Sequence, residues 1–211
     1  MPSREFHEAV WRDLPEGLEP ADFQLRKRFL LDGVEPGERV LDVGCGEGAF
    51  TAELTRAGAQ AVGVDIAEEP LRRARLRDSS LDLRLVEPEG PWDLADASFD
   101  VVWAGEVIEH VLDTAAWMSE LRRVLRSGGR LLLSTPAHER AMRLRLALSE
   151  HAFAQHFDPR SDHLRFYSRA TLNALICEFG FESVSVVPAR GGAWPRSASR
   201  MLLAGAVRSR F

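Results

Sequence analysis

Arg39-Val40-Leu41-Asp42-Val43-Gly44-Cys45-Gly46-Glu47-Gly48-Ala49-Phe50 changes character twice in one short run. Val40, Leu41 and Val43 make a β-rich apolar segment, the pattern of a strand buried on both faces. The segment breaks into glycines spaced Gly-x-Gly-x-Gly and resumes as Ala49-Phe50-Thr51-Ala52-Glu53-Leu54, which reads as a helix. Strand, glycine turn and helix N-terminus in that order form the corner where a doubly wound α/β sheet holds a nucleotide-like ligand. Glycine suits the turn because it bends sharply and lets the backbone approach a ligand without a side chain in the way.

Gln60-Ala61-Val62-Gly63-Val64 reads as the next strand and ends at Asp65. An acid at that tip can accept both hydroxyls of a ribose. A dinucleotide fingerprint would be Gly-x-Gly-x-x-Gly, so the spacing disfavours a nicotinamide oxidoreductase, and with no Lys-Ser/Thr following, a phosphate-gripping P-loop is excluded.

Further along, Glu68 to Arg77 reads as a helix with Leu71, Ala74 and Leu76 turned inward and Arg72, Arg73, Arg75 and Arg77 on a solvated face. Leu83 to Val86 alternates as a third strand and runs into Glu87-Pro88-Glu89. Ser98 to Ala104 is the fourth, with Ala104 and Gly105 at its carboxyl end, where open α/β sheets place ligands. Thr114 to Arg126 is an amphipathic helix capped by Ser127-Gly128-Gly129, and Arg130 to Ser134 is the fifth strand. Residues 137 to 167 then interrupt the rhythm, with a helix expected over Ala141 to Ala154. A loop from His156 to Tyr167 follows, dense in aromatic and ionisable residues. Insertions of this size at a ligand edge are functional or disordered, and this one is too aromatic for disorder. Ser168 caps another helix. Phe181 to Val187 and Met201 to Val207 complete the strands, with a mobile Gly/Pro/Arg/Ser-rich stretch from Pro188 to Arg200 between them.

Val-Leu-Asp-Val-Gly-Cys-Gly-Glu-Gly followed by Val-Gly-Val-Asp resembles the nucleoside-binding half of class I S-adenosylmethionine-dependent methyltransferases, over about residues 37 to 187. The resemblance implies a seven-stranded mixed sheet of Rossmann-like, doubly wound α/β class whose last strand is antiparallel. It implies S-adenosylmethionine as cofactor, held by Asp42, Gly44, Cys45, Gly46, Asp65, Ile66, Ala104 and Gly105. An acid near Glu87 or Glu89 would meet the adenine amino group. The expected organisation is an N-terminal helical cap over residues 1–36, with helices at 4–13 and 21–32. A methyltransferase domain fills 37–211, with 137–167 as lid and acceptor site. The two N-terminal helices either pack on a sheet edge or, as the family suggests, cover the cofactor with Trp11 or Phe6 near the pocket.

Glu106-Val107-Ile108-Glu109-His110 follows the fourth strand, beside the expected methyl group. If helical, Glu106, Glu109 and His110 share one face. A base helps only a protic acceptor, and histidine suits that task near neutral pH; the candidates are His110, His156 and His163. In ubiquinone-type small-molecule O-methyltransferases a Glu-His pair here contributes to the acceptor site. In small-RNA 3′-terminal 2′-O-methyltransferases the same Glu-x-x-Glu-His run, with a distant histidine matched by His163 in Asp162-His163-Leu164-Arg165-Phe166, binds a divalent ion. A plain structural role for the motif is the third reading. The expectation is methyl transfer to a hydroxyl oxygen of a small molecule, with His110, Glu109 and His163 as catalytic residues and no resident metal. A non-catalytic cofactor-binding module is the reading from another class.

Composition fits a soluble globule, with 45% hydrophobic and 28% charged residues. The net charge of -5 argues against a protein that holds nucleic acid by neutralising phosphates. Cys45 and Cys177 give no disulfide framework and no metal-cluster spacing. The N-terminus lacks the apolar core of a signal peptide, and no run approaches the ~20 apolar residues of a membrane helix. Cytoplasmic location is therefore expected; the sequence is silent on oligomeric state.

Overall fold

The computed structural model describes residues 4–189 and 201–210. The expected mobile stretch from Pro188 to Arg200 lies outside them, apart from Pro188 and Ala189, which end a strand.

Helices α1 (Arg4–Asp13) and α2 (Phe23–Asp32) precede the alternating core. That core runs β1 (Arg39–Val43), α3 (Ala49–Arg56), β2 (Gln60–Asp65), α4 (Glu68–Arg77), β3 (Asp82–Leu85), β4 (Phe99–Gly105), α5 (Thr114–Val124) and β5 (Leu125–Pro136). The insertion holds α6 (Arg140–Leu148) and α7 (Glu150–His156), after which come α8 (Arg169–Glu178), β6 (Phe181–Ala189) and β7 (Met201–Arg208). The sheet order is β3-β2-β1-β4-β5-β7-β6, and β7 runs antiparallel to both neighbours. The seven-stranded mixed sheet expected from the sequence is therefore present. The strand order reverses between β1 and β4, and a crevice opens at their carboxyl ends, the ligand position of such sheets.

Period-two alternation sorts the core onto two faces. Leu41, Val102 and Ala104 point to one face, with Trp117 and Leu121 of α5 and Leu172 and Ile176 of α8. Val40, Val101 and Trp103 point to the other, with Leu30 of α2 and Phe50 and Leu54 of α3. The two N-terminal helices thus part company: α2 packs on a face of the sheet and α1 lies over the crevice.

Three local expectations are corrected. Along α4, Leu76 is exposed and Arg73 is buried. The helix is rotated because the Arg73 guanidinium binds Glu69 and Glu47 and donates to the Leu14 carbonyl at 3.0 Å. Helix α5 ends at Val124 rather than Arg126, because Leu125 already pairs with Phe99 in the sheet. Gly128 and Gly129 therefore shape a bulge in β5, where a side chain on Gly129 would meet the Arg126 and Asp100 carbonyls. The insertion helix expected over 141–154 is two helices, broken at Ser149, whose hydroxyl accepts from Ala152 N and caps α7.

Candidate functional site

The glycine turn forms the floor of a cleft of about 1010 Å³, its open mouth included. Gly44 has φ +68°, and a Cβ there would lie 2.5 Å from Val107 Cγ2. At Gly46, φ +53°, a Cβ would lie 2.9 Å from the Trp11 ring. Both positions demand glycine for conformation and for space. The walls are Val43, Val64, Asp65 and Ile66 from β1 and β2, Val86, Pro88, Glu89 and Trp92 beyond β3, and Glu106, Val107 and His110 after β4. The roof is His7, Val10, Trp11 and Leu14, on α1 and just beyond it. Of the two N-terminal aromatics, Trp11 lines the cleft and Phe6 stacks edge-on against His7 instead.

Helix α1 is fastened over this cleft by polar contacts. Arg4 donates to the carbonyls of Ile66 and Val86 and pairs with Glu87. The Glu8 carboxylate accepts from Glu68 N and Glu69 N, capping α4, whose own N-cap residue Ala67 has no side chain to do so. Residues 14–17 are tied down by Arg73 to the Leu14 carbonyl and by Glu47, which accepts from Gly17 N.

Asp65 stands at the tip of β2 with its oxygens accepting from Gly46 N at 2.8 Å and Ala67 N at 2.9 Å. Burial raises its carboxyl above the ordinary value, and these two bonds oppose the rise. Each carboxylate oxygen keeps a further lone pair for a ligand hydroxyl. Asp42 is deeper, does not line the cleft, and accepts from Thr51 Oγ1 at 2.6 Å. Burial pushes it up to about 6. Cys45 packs under the turn against Leu71, Ala74 and Leu83. Ile66 lines the cleft, Ala104 is fully buried, and Gly105 is closely approached by the Arg26 guanidinium. Of the two glutamates after β3, Glu89 faces the cleft and accepts from Leu112 N at 3.0 Å, whereas Glu87 turns outward to Arg4.

Glu106 to His110 is a turn, not a helix, so the shared helical face is corrected. Glu106 takes φ +57°, and His110 N closes the turn onto the Val107 carbonyl at 2.9 Å. The turn brings Glu109, His110 and His163 together by another route, with one ligand atom of each within 4.8 Å of the others. Glu106 points away to Ser134 Oγ, at 3.1 Å. Glu109 is buried; its Oε2 accepts from Thr135 Oγ1 at 3.0 Å, and its Oε1 has no hydrogen-bond partner. Burial, with Glu106 adding to it, holds its carboxyl well above the ordinary range. Burial pulls the His110 imidazole down, against the pull of Asp162. His156 lies apart from this trio, with its Nε2 at 2.8 Å from His138 Nε2.

Arg26 escaped the sequence reading. It is nine-tenths buried on α2, bonded through Nε to Ser134 Oγ and through Nη1 to the Ala21 carbonyl, and set over the Phe50 ring at 4.8 Å. Its charge faces Glu106, Glu109 and Asp42. The available signal was its place with Phe23, Lys27 and Leu30 on one helical stripe, where an apolar residue belongs. Asp162, which also lines the cleft, and the roof histidine His7 escaped as well.

A family profile described as a methyltransferase domain matches residues 10–186. The ubiquinone biosynthesis O-methyltransferase of Idiomarina loihiensis is 32% identical over 155 residues, covering 71% of this chain and 64% of that protein. The protein of that description from Hahella chejuensis is 42% identical over 104 residues, or 47% of this chain and 44% of its own length. The chain thus spans less than two thirds of either relative. Among solved structures, an S-adenosylmethionine dependent methyltransferase from Mesorhizobium loti matches with a TM-score of 0.70 at 18% identity, over 90% of this chain and 98% of that one. Haemonchus contortus phosphoethanolamine N-methyltransferase 2, solved with phosphomonomethylethanolamine and S-adenosylhomocysteine, matches with a TM-score of 0.71 at 17% identity, over 96% of this chain and 56% of that one. At these identities the structural likeness concerns the fold.

Proposed function

The chain belongs to the methyltransferase-domain family, and on that premise we propose that it moves the methyl group of S-adenosylmethionine to a hydroxyl oxygen of a small-molecule acceptor. The observation that carries the reading is one cleft with a nucleoside end and a proton-accepting end. Asp65 and the side-chain-free turn at Gly44 lie at the first, and His110 lies at the second. The cleft residues fit such a cofactor. Asp65 has acceptor capacity left for ribose hydroxyls, and Ile66, Val86 and Trp92 offer apolar walls to a flat base beside Glu89. Arg26 does not line the cleft; it stands behind the wall at Gly105, its charge facing Glu106, Glu109 and Asp42.

When bound, S-adenosylmethionine supplies a methyl carbon already activated by its sulfonium, so alignment is the protein's main task. The roof helix and the docked insertion shield part of the cleft from water. His110, kept neutral by burial, takes the acceptor proton. The test is calorimetric titration of wild type and Asp65→Ala with S-adenosylmethionine, S-adenosylhomocysteine and NAD. Both sulfur nucleosides should bind, and Asp65→Ala should lose about 2 to 5 kcal/mol of that affinity. Binding of NAD alone would overturn the reading.

A second reading, metal-assisted transfer, is favoured by one observation: a buried carboxylate oxygen without a partner, Glu109 Oε1, on a residue gathered with two imidazoles. Carboxylate and imidazole suit Mn²⁺ and similar ions. A divalent ion held by Glu109, His110 and His163 would lower the pKa of an acceptor hydroxyl.

A further inference from the structure

Asp162 belongs to neither a strand nor a helix; it sits on the insertion loop, 52 residues from His110 in sequence. His110 Nδ1 lies 3.1 Å from the Asp162 carbonyl oxygen and 3.3 Å from its carboxylate Oδ2. A carbonyl and an ionised carboxylate accept and do not donate. The imidazole nitrogen they share must therefore carry the hydrogen, which leaves Nε2 with the lone pair. Nε2 has no hydrogen-bond partner among the described residues and is not one of the sealed-off polar atoms.

The loop is well placed to hold such a contact. Leu164 N and Arg165 N both donate to the Glu109 carbonyl, at 2.8 and 3.0 Å. Arg165 Nη2 donates to the Leu112 carbonyl at 2.8 Å. At the loop's far end, His138 N donates to the Tyr167 carbonyl at 2.8 Å. Two segments distant in sequence are thereby locked around one imidazole.

We propose that Asp162 is a positioning residue: it fixes the tautomer and ring orientation of His110, so that docking of the insertion loop and presentation of the Nε2 lone pair are one event. The proposal rests on the reading of His110 as the group that takes a proton or ligates an ion, since both roles use an unprotonated ring nitrogen. A mere loop anchor would tie the loop down without setting the tautomer.

The test is ¹⁵N NMR of the full chain labelled at its six histidines, with His110→Gln assigning the resonance. Wild type should show His110 as a single tautomer, protonated at Nδ1. Asp162→Ala keeps the main-chain carbonyl but loses the carboxylate, and the second tautomer should appear. Turnover should fall about 10- to 100-fold, the usual cost of losing an outer partner of a site histidine, with S-adenosylhomocysteine affinity unchanged. Asp162→Asn, whose amide oxygen still accepts, should keep the tautomer and recover much of the turnover. A His110 protonated at Nε2 in wild type, or a tautomer indifferent to Asp162→Ala, overturns the proposal. Full activity of His110→Gln would overturn the reading beneath it, a result separate from the NMR.

Discussion

Replacing Arg26 with methionine keeps a long stem over Phe50 and deletes the charge. Three buried or nearly buried carboxyls, Asp42, Glu106 and Glu109, then face one another without their cation. Asp42 already sits at about 6 with Arg26 in place, and each further unit of rise costs about 1.4 kcal/mol above the new value. Arg26 makes no ion pair within 4.0 Å among the described residues and supports these carboxyls through space; leaving buried charges uncompensated costs up to about 3 to 5 kcal/mol. The sign follows from linkage. Carboxyls raised in the folded state leave stability intact below their unfolded values near 4 and lose it as pH climbs through the folded ones. The deficit of Arg26→Met should therefore be up to about 3 to 5 kcal/mol at pH 8 and shrink to about 1 kcal/mol near pH 4.5, where the bonds to Ser134 and Ala21 are the main loss. Urea denaturation of both proteins at the two pH values measures it. An equal deficit at both would mean that Arg26 matters for packing alone, and the electrostatic account would fail.

Glu8→Ala should uncap α4 and cost about 1 kcal/mol. Hydrogen exchange should quicken at the Glu68 and Glu69 amides and along residues 4–13, and unchanged exchange would show that the roof helix is held by other contacts. For the metal-assisted reading, chelator should abolish turnover and Mn²⁺ restore it, with Glu109→Gln weakening the metal response. Turnover indifferent to chelator leaves His110 acting as a base without an ion.

The strand–glycine–helix corner was legible because each part follows a local rule. A doubly buried strand needs a continuous apolar run, a turn with positive φ needs glycine, and the acid at the end of β2 stands one βα unit away. The antiparallel β7 was legible only through the family resemblance, since Met201-Leu202-Leu203-Ala204 carries helix-forming residues as readily as strand ones. In α4 the period was right and the phase wrong. Arg73 outcompeted Leu76 for the inner face because Glu47 and the Leu14 carbonyl stood ready to satisfy it, and a buried guanidinium with partners is tolerable.

Around the proposed acceptor end the obstacle is of another kind. Glu106 to Glu109 has helical spacing, but Val107 must cover Gly44 and Ile108 is fully buried, while Glu109 turns back to Thr135. A helix begun at Gly105 would not let these side chains point three ways, so Glu106 takes a positive φ and the chain turns instead. The contacts that define this end join Arg26 to Ser134, 108 residues away, and His110 to Asp162, 52 away. Pairings of that span leave no periodic trace in one sequence, because nothing about residue 110 constrains residue 162 until the loop is docked. The cofactor end is set by what neighbouring residues can do to their own backbone. The proposed acceptor end is set by what the insertion reaches, so on that reading acceptor preference would change with the loop while the glycine corner stays as it is.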